Sequence, residues 1–80
     1  MHKCDKLEAR TRAWLGHAYS LSGDTKDAIS QYSLALSLNK QIAEAYQARA
    51  AAYRRVGNVA LAERDEKQYQ LILSSVNKGQ

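Results

Sequence analysis

Eighty residues carrying a net charge of +4, with 45% hydrophobic and 25% charged side chains, make one small domain whose core is marginal. That balance excludes a disordered chain, and no apolar run approaches the roughly 20 residues of a membrane-spanning helix. There is no proline and no phenylalanine, while alanine is abundant, a composition that favours helix throughout.

The excess of Lys and Arg admits acidic peptides, nucleic acid or an anionic surface as partners without requiring any of them. Cys4 is the only cysteine, so no internal disulfide can form, and a reducing compartment is expected. The opening residues lead into charged helix and not into a signal-peptide core. A cytoplasmic protein is the expectation.

The first predicted helix covers residues 6–22, with Arg12, Leu15, Gly16 and Tyr19 at helical spacing on one inner face. Glycine within a helix costs about 1 kcal/mol against alanine, so Gly16 implies close approach of another helix. Ser22-Gly23-Asp24-Thr25 reads as a turn: Gly23 stops the first helix in a left-handed conformation, and Asp24 or Thr25 caps the next. The second helix is expected over 26–38, with Ala28, Tyr32 and Ala35 as its stripe, widened by Ile29 and Leu36. After an Asn39-Lys40-Gln41 link, a third helix covers 42–56, with Tyr46, Arg49, Ala50 and Tyr53 inward. Gly57-Asn58 repeats the turn chemistry. A fourth helix covers 59–76, and residues 77–80 form a frayed tail. No sustained period-2 alternation signals a strand.

Positions 34 apart correspond. Gly16 returns as Ala50, Tyr19 as Tyr53, Gly23 as Gly57, Asp24 as Asn58 and Ala28 as Ala62. A fixed period of this size indicates repeated supersecondary units. The expected fold is all-α: two antiparallel helix–turn–helix hairpins stacked as a short solenoid, with a lead-in over 1–8 and units at 9–42 and 43–76.

These residues resemble the tetratricopeptide repeat, whose 34-residue unit follows W-x₂-L-G-x₂-Y, then A-x₃-F, then P. Leu15-Gly16-x₂-Tyr19, Gly23-Asp24 and Ala28-x₃-Tyr32 match in the first unit. Tyr46, Ala50-x₂-Tyr53, Gly57-Asn58 and Ala62 match in the second. Arg12 stands at the usual opening aromatic, Trp14 is displaced by two residues, Lys40 holds the proline place and Glu66 replaces the aromatic that Tyr32 supplies.

The resemblance implies a concave groove lined by the first helix of each hairpin and binding a peptide or helix. The corresponding faces carry Arg10, Ala13, His17, Ser20 and Leu21, then Glu44, Gln47, Ala51, Arg54 and Arg55. Arg10, His17, Arg54 and Arg55 would make this groove mildly basic. One subclass of the family clamps a C-terminal carboxylate with Lys and Asn; the matching places here are Ala13, His17 and Ala48, which cannot make those charge-assisted bonds.

A further face reads Ala45, Ala48, Ala52 and Val56 in the second unit, suited to packing on the preceding hairpin. In the first it reads Leu7, Thr11, Trp14 and Ala18, an apolar stripe with no hairpin before it, expected to self-associate. At the other end Ile29, Tyr32 and Leu36 become Glu63, Glu66 and Gln70, the polar outer face of a terminal repeat. The chain therefore reads as finished at its C-terminal end and unfinished at its N-terminal end.

No catalytic motif, phosphate-cradling glycine loop or metal-ligand spacing is present, so neither enzyme activity nor a cofactor is expected. The expected function is protein–protein interaction, as a scaffold or adaptor. The alternative is nucleic-acid binding through Arg49, Arg54, Arg55 and Arg64 with Tyr53 nearby, a patch diluted by Glu44, Glu63, Asp65 and Glu66.

Overall fold

The computed structural model describes residues 5–78, with side chains described over 7–75. Four helices follow one another: α1 Asp5–Leu21, α2 Thr25–Leu38, α3 Ala43–Arg55 and α4 Val59–Lys78. No strand occurs among the described residues. Each expected helix is present within one or two residues. The exception in detail is α4, which continues through Asn77 and Lys78 where fraying was expected, no proline or glycine interrupting it before Gly79. His2, Cys4 and residues 79–80 lie outside the described residues.

The two hairpin turns have the same geometry, 34 residues apart. Gly23 and Gly57 adopt φ of +87° and +85°, a conformation in which a Cβ is penalised. In the first turn Asp24 N–H donates to the Tyr19 carbonyl at 2.9 Å and Gly23 N–H to Ser20 at 3.1 Å. In the second, Asn58 N–H donates to Tyr53 at 2.8 Å and Gly57 N–H to Arg54 at 3.1 Å. These paired bonds satisfy the last carbonyls of α1 and α3 and reverse the chain at once. The caps that follow differ. Asn58 Oδ1 accepts from Leu61 N–H at 3.3 Å, whereas the Asp24 side chain makes no capping bond to α2. Between the hairpins Asn39 is extended, and its Oδ1 accepts from Gln41 N–H at 3.0 Å.

Short turns make neighbours of consecutive helices. α1 packs on α2 and α3 on α4; α2 meets α3 along the seam between hairpins, and α1 meets α3 only narrowly. The result is a slab of 36 × 30 × 17 Å. Its buried apolar residues are Ala9, Ala28, Ala35, Ala45, Ala50, Ala52 and Ala62, with Tyr32 and Leu36. Small side chains let the helices approach closely but remove little apolar surface apiece. Ala45 and Ala52 lie on the seam face as expected, while Val56 at its end is exposed. Gly16 is where approach is tightest. A Cβ there would stand 2.7 Å from two ring carbons of Tyr32 and 3.1 Å from the Ala28 carbonyl oxygen. Leu15, expected to face inward beside it, is exposed, and Ala9 takes the inner place.

Candidate functional site

A groove of about 280 Å³ opens between α1 and α3. Arg10, Ala13, Trp14 and His17 of α1 form one wall; Ile42 leads into the other, formed by Glu44, Ala45 and Ala48 of α3; Tyr32 of α2 lies at its base. The volume is near the lower edge of the about 300–1,000 Å³ range of small-ligand sites. The groove exists because α1 and α3 diverge after a narrow contact while alanines on α3 leave the wall low. Burial pushes the Tyr32 phenol above its ordinary pKa. Arg10 places a positive charge on one lip, with His17 beside it, opposed by Glu44 on the other.

Of the residues expected in a groove, Arg10, Ala13, His17 and Glu44 converge here. Ser20, Leu21, Gln47, Ala51, Arg54 and Arg55 do not line it. Trp14, expected on a separate self-association face, lines the groove as well, while remaining 69% exposed. At 160° from Gly16 on a helical wheel its Cα lies on the outer face, but its large ring spans from that face to the groove lip. Leu7, Thr11 and Ala18 are exposed on the outer face as the stripe requires.

The expected basic character needs correction at Arg54. Its Nε and Nη2 donate to both carboxylate oxygens of Glu66 on α4, at 2.8 and 2.9 Å. This bidentate, half-exposed pair ties α3 to α4 and offsets the charge assigned to a peptide groove. The hydrogen bonds from Arg54 hold the Glu66 carboxyl below its ordinary pKa. Glu66, in the place corresponding to Tyr32, thus exchanges an apolar contact for an ionic one.

Sequence reasoning missed the centre of the second hairpin. Arg49 Nε and Nη2 donate to Asp65 Oδ2 and Oδ1 at 2.7 and 2.8 Å, and Arg49 Nη1 donates to Ser33 Oγ at 3.0 Å. Asp65 is 4% exposed. The guanidinium also stands 5.9 Å from the Tyr46 ring centroid and 5.6 Å from that of Tyr53, distances at which a cation is attracted to a ring face. The hydrogen bonds to Asp65 raise the Arg49 pKa, outweighing desolvation. One side chain on α3 thereby joins α4 to α2, which otherwise make no direct packing contact. Arg49 was placed inward by its spacing. Asp65 follows the core residue Ala62 by three positions, a sign that an acid sits on an inner stripe. The first hairpin has Leu15 and Gln31 at the corresponding places, and Gln31 Oε1 is buried with no hydrogen-bond partner among the described residues.

Among the four arginines of the basic patch, Arg49 and Arg54 are therefore engaged by carboxylates. Among the described residues no three His, Cys, Asp or Glu side chains are grouped to hold a metal, and no helix is long and apolar enough to cross a membrane. No family model, curated protein or solved structure matches the chain.

Proposed function

We propose that the chain is a two-unit tetratricopeptide-like module that binds another polypeptide in the α1–α3 groove, acting as a scaffold or adaptor. The observation that carries this reading is the groove itself: an open apolar trough, walled by Trp14, Ile42, Ala45 and Ala48, with Arg10, His17 and Glu44 on its lips. The matched left-handed glycines at Gly23 and Gly57, and the corresponding small residues Gly16 and Ala50, support the repeat assignment. The mixed charge of the lips favours a segment that inserts an apolar side chain flanked by polar groups of both signs over a purely acidic peptide. The reading includes self-association through the outer face of α1, in a cytoplasmic setting.

Trp14 reports directly on this groove. Titrating the protein with short peptides that carry one bulky apolar residue flanked by acidic and basic residues should give a saturable blue shift of its fluorescence. Ala48→Glu, which fills the α3 wall at a half-buried position, should remove the response while leaving the helical circular dichroism unchanged. An equal response from parent and variant places binding elsewhere. Binding of an oligonucleotide instead, lost steeply with added salt, would replace this reading with the nucleic-acid one.

A further inference from the structure

The outer face of α1 carries a pattern that specifies its occupant. Leu7, Thr11, Trp14, Ala18 and Leu21 recur at alternating intervals of four and three, the spacing of a coiled-coil seam. All five are exposed. Leu7, Trp14 and Leu21 are the most exposed large apolar residues described, at 70%, 69% and 79%. Directly behind the stripe Ala9 and Gly16 face the core, so the seam lies on the side of α1 opposite the core, with the Trp14 ring also reaching the groove lip.

We infer that this seam is filled by a second copy of the chain, with the two α1 helices packed antiparallel. This rests on the self-association part of the reading above; the orientation follows from side-chain size. Every second seam position is large (Leu7, Trp14, Leu21) and every position between is small (Thr11, Ala18). In a parallel pair each residue meets its own copy: Trp14 crowds the partner's Trp14, and Ala18 leaves a void against the partner's Ala18. Interiors tolerate neither crowding nor voids. In an antiparallel pair the two kinds of position face each other. Trp14 then covers the partner's Ala18 and Leu21 the partner's Thr11, twice each by symmetry, so that large meets small in four layers, with Leu7 at the end of the seam beyond them.

Charge agrees with this register. Arg10 flanks the seam and comes to the C-terminal end of the partner's α1, where helix carbonyls and the partner's exposed Asp24 concentrate negative character. Leu15, 39% exposed on the other flank, meets the partner's Leu15 beside the two-fold axis. The 17-residue α1 is about 25 Å long. One helix face of that length falls short of the roughly 800 Å² per partner of a standard stable complex, so the dimer forms and dissociates with concentration. Because Trp14 and Arg10 also line the groove, dimerisation and groove binding compete.

Sedimentation equilibrium on the full chain, from about 10 µM to 1 mM, tests the proposal. The parent should shift from monomer to dimer across that range. Leu21→Glu, outside the groove, should remain monomeric with unchanged helical content, and Trp14→Glu should do the same. Ala18→Leu should weaken the dimer by about tenfold, because it crowds the layer under the partner's Trp14. A parent that stays monomeric at the highest concentration, with a solvent-exposed Trp14 emission, overturns the proposal and leaves the face to a different chain. A dimer strengthened by Ala18→Leu overturns the antiparallel arrangement. Failure of every groove peptide leaves these results untouched.

Discussion

Arg49 does more for this fold than its exposed neighbours because it is enclosed. Its side chain is 19% exposed and that of Asp65 6%, so neither charge is well hydrated, and each depends on the other. Removing one partner of a buried pair strands the other, at a cost of about 3–5 kcal/mol. The residual exposure of Arg49 puts Arg49→Met near the lower end of that range. Chemical denaturation should report this loss, and the double variant Arg49→Met with Asp65→Leu should recover most of it, since an apolar pair no longer strands a charge. A double variant no more stable than the single would mean that the Ser33 bond and the two tyrosine contacts carry the interaction. Gly16 works by absence. Alanine there gains about 1 kcal/mol of helix propensity but sets a methyl group 2.7 Å from the Tyr32 ring, an overpacking penalty of about 1–3 kcal/mol. Gly16→Ala should therefore destabilise the parent and should stabilise a Tyr32→Leu background. The natural second unit already carries Ala50, and Glu66 stands in place of the ring.

At the scale of elements, two turns with the same backbone open helices that are capped differently. The Asn58 side-chain oxygen accepts from Leu61 N–H in the first turn of α4, while Asp24 contributes no such bond to α2. Loss of an engaged N-cap costs about 1 kcal/mol. Asn58→Ala should lower stability by that amount in thermal or denaturant melts, and Asp24→Ala by much less. Equal losses would mean that the two caps work alike in solution. The ionic tie between Arg54 and Glu66 belongs to this scale too. It fastens the end of α3 to α4 along a face where the first hairpin uses an aromatic ring, which keeps the outer side of α4 polar without leaving α3 untethered.

For the whole molecule, the governing fact is an alanine core. Among the described residues, seven of the nine buried apolar ones are alanines, each removing about one methyl group from water, worth roughly 0.8 kcal/mol on the scale for a buried methylene. Such a core leaves little surplus over chain entropy, and the exposed Trp14 and Leu21 are the largest apolar surfaces still to be covered. The proposed self-association through α1 would couple to folding by mass action. The melting temperature of the parent should rise with protein concentration, and that of Leu21→Glu should not. A concentration-independent parent would mean that the monomer alone sets the stability.

The all-helical class, the number of helices and the hairpin turns were readable from the sequence because they are local. Absence of proline, richness in alanine and a left-handed glycine at Gly23 and Gly57 act over a few residues and need no distant partner. The reason for Gly16 was also legible, since a helix tolerates glycine where another helix must come close. What the tertiary structure alone decided were pairings between helices. Arg49 and Asp65 are 16 residues apart, and nothing local distinguishes an acid that meets an arginine from one that meets water. Arg54 was read as an exposed, basic groove residue, yet a side chain of that length reaches across to Glu66. Trp14 was assigned to one face by the position of its Cα, whereas the size of its ring makes it part of two. Backbone conformation is written in neighbouring residues; the meeting of long or large side chains depends on how helices are set against one another, and that is fixed only when the hairpins pack.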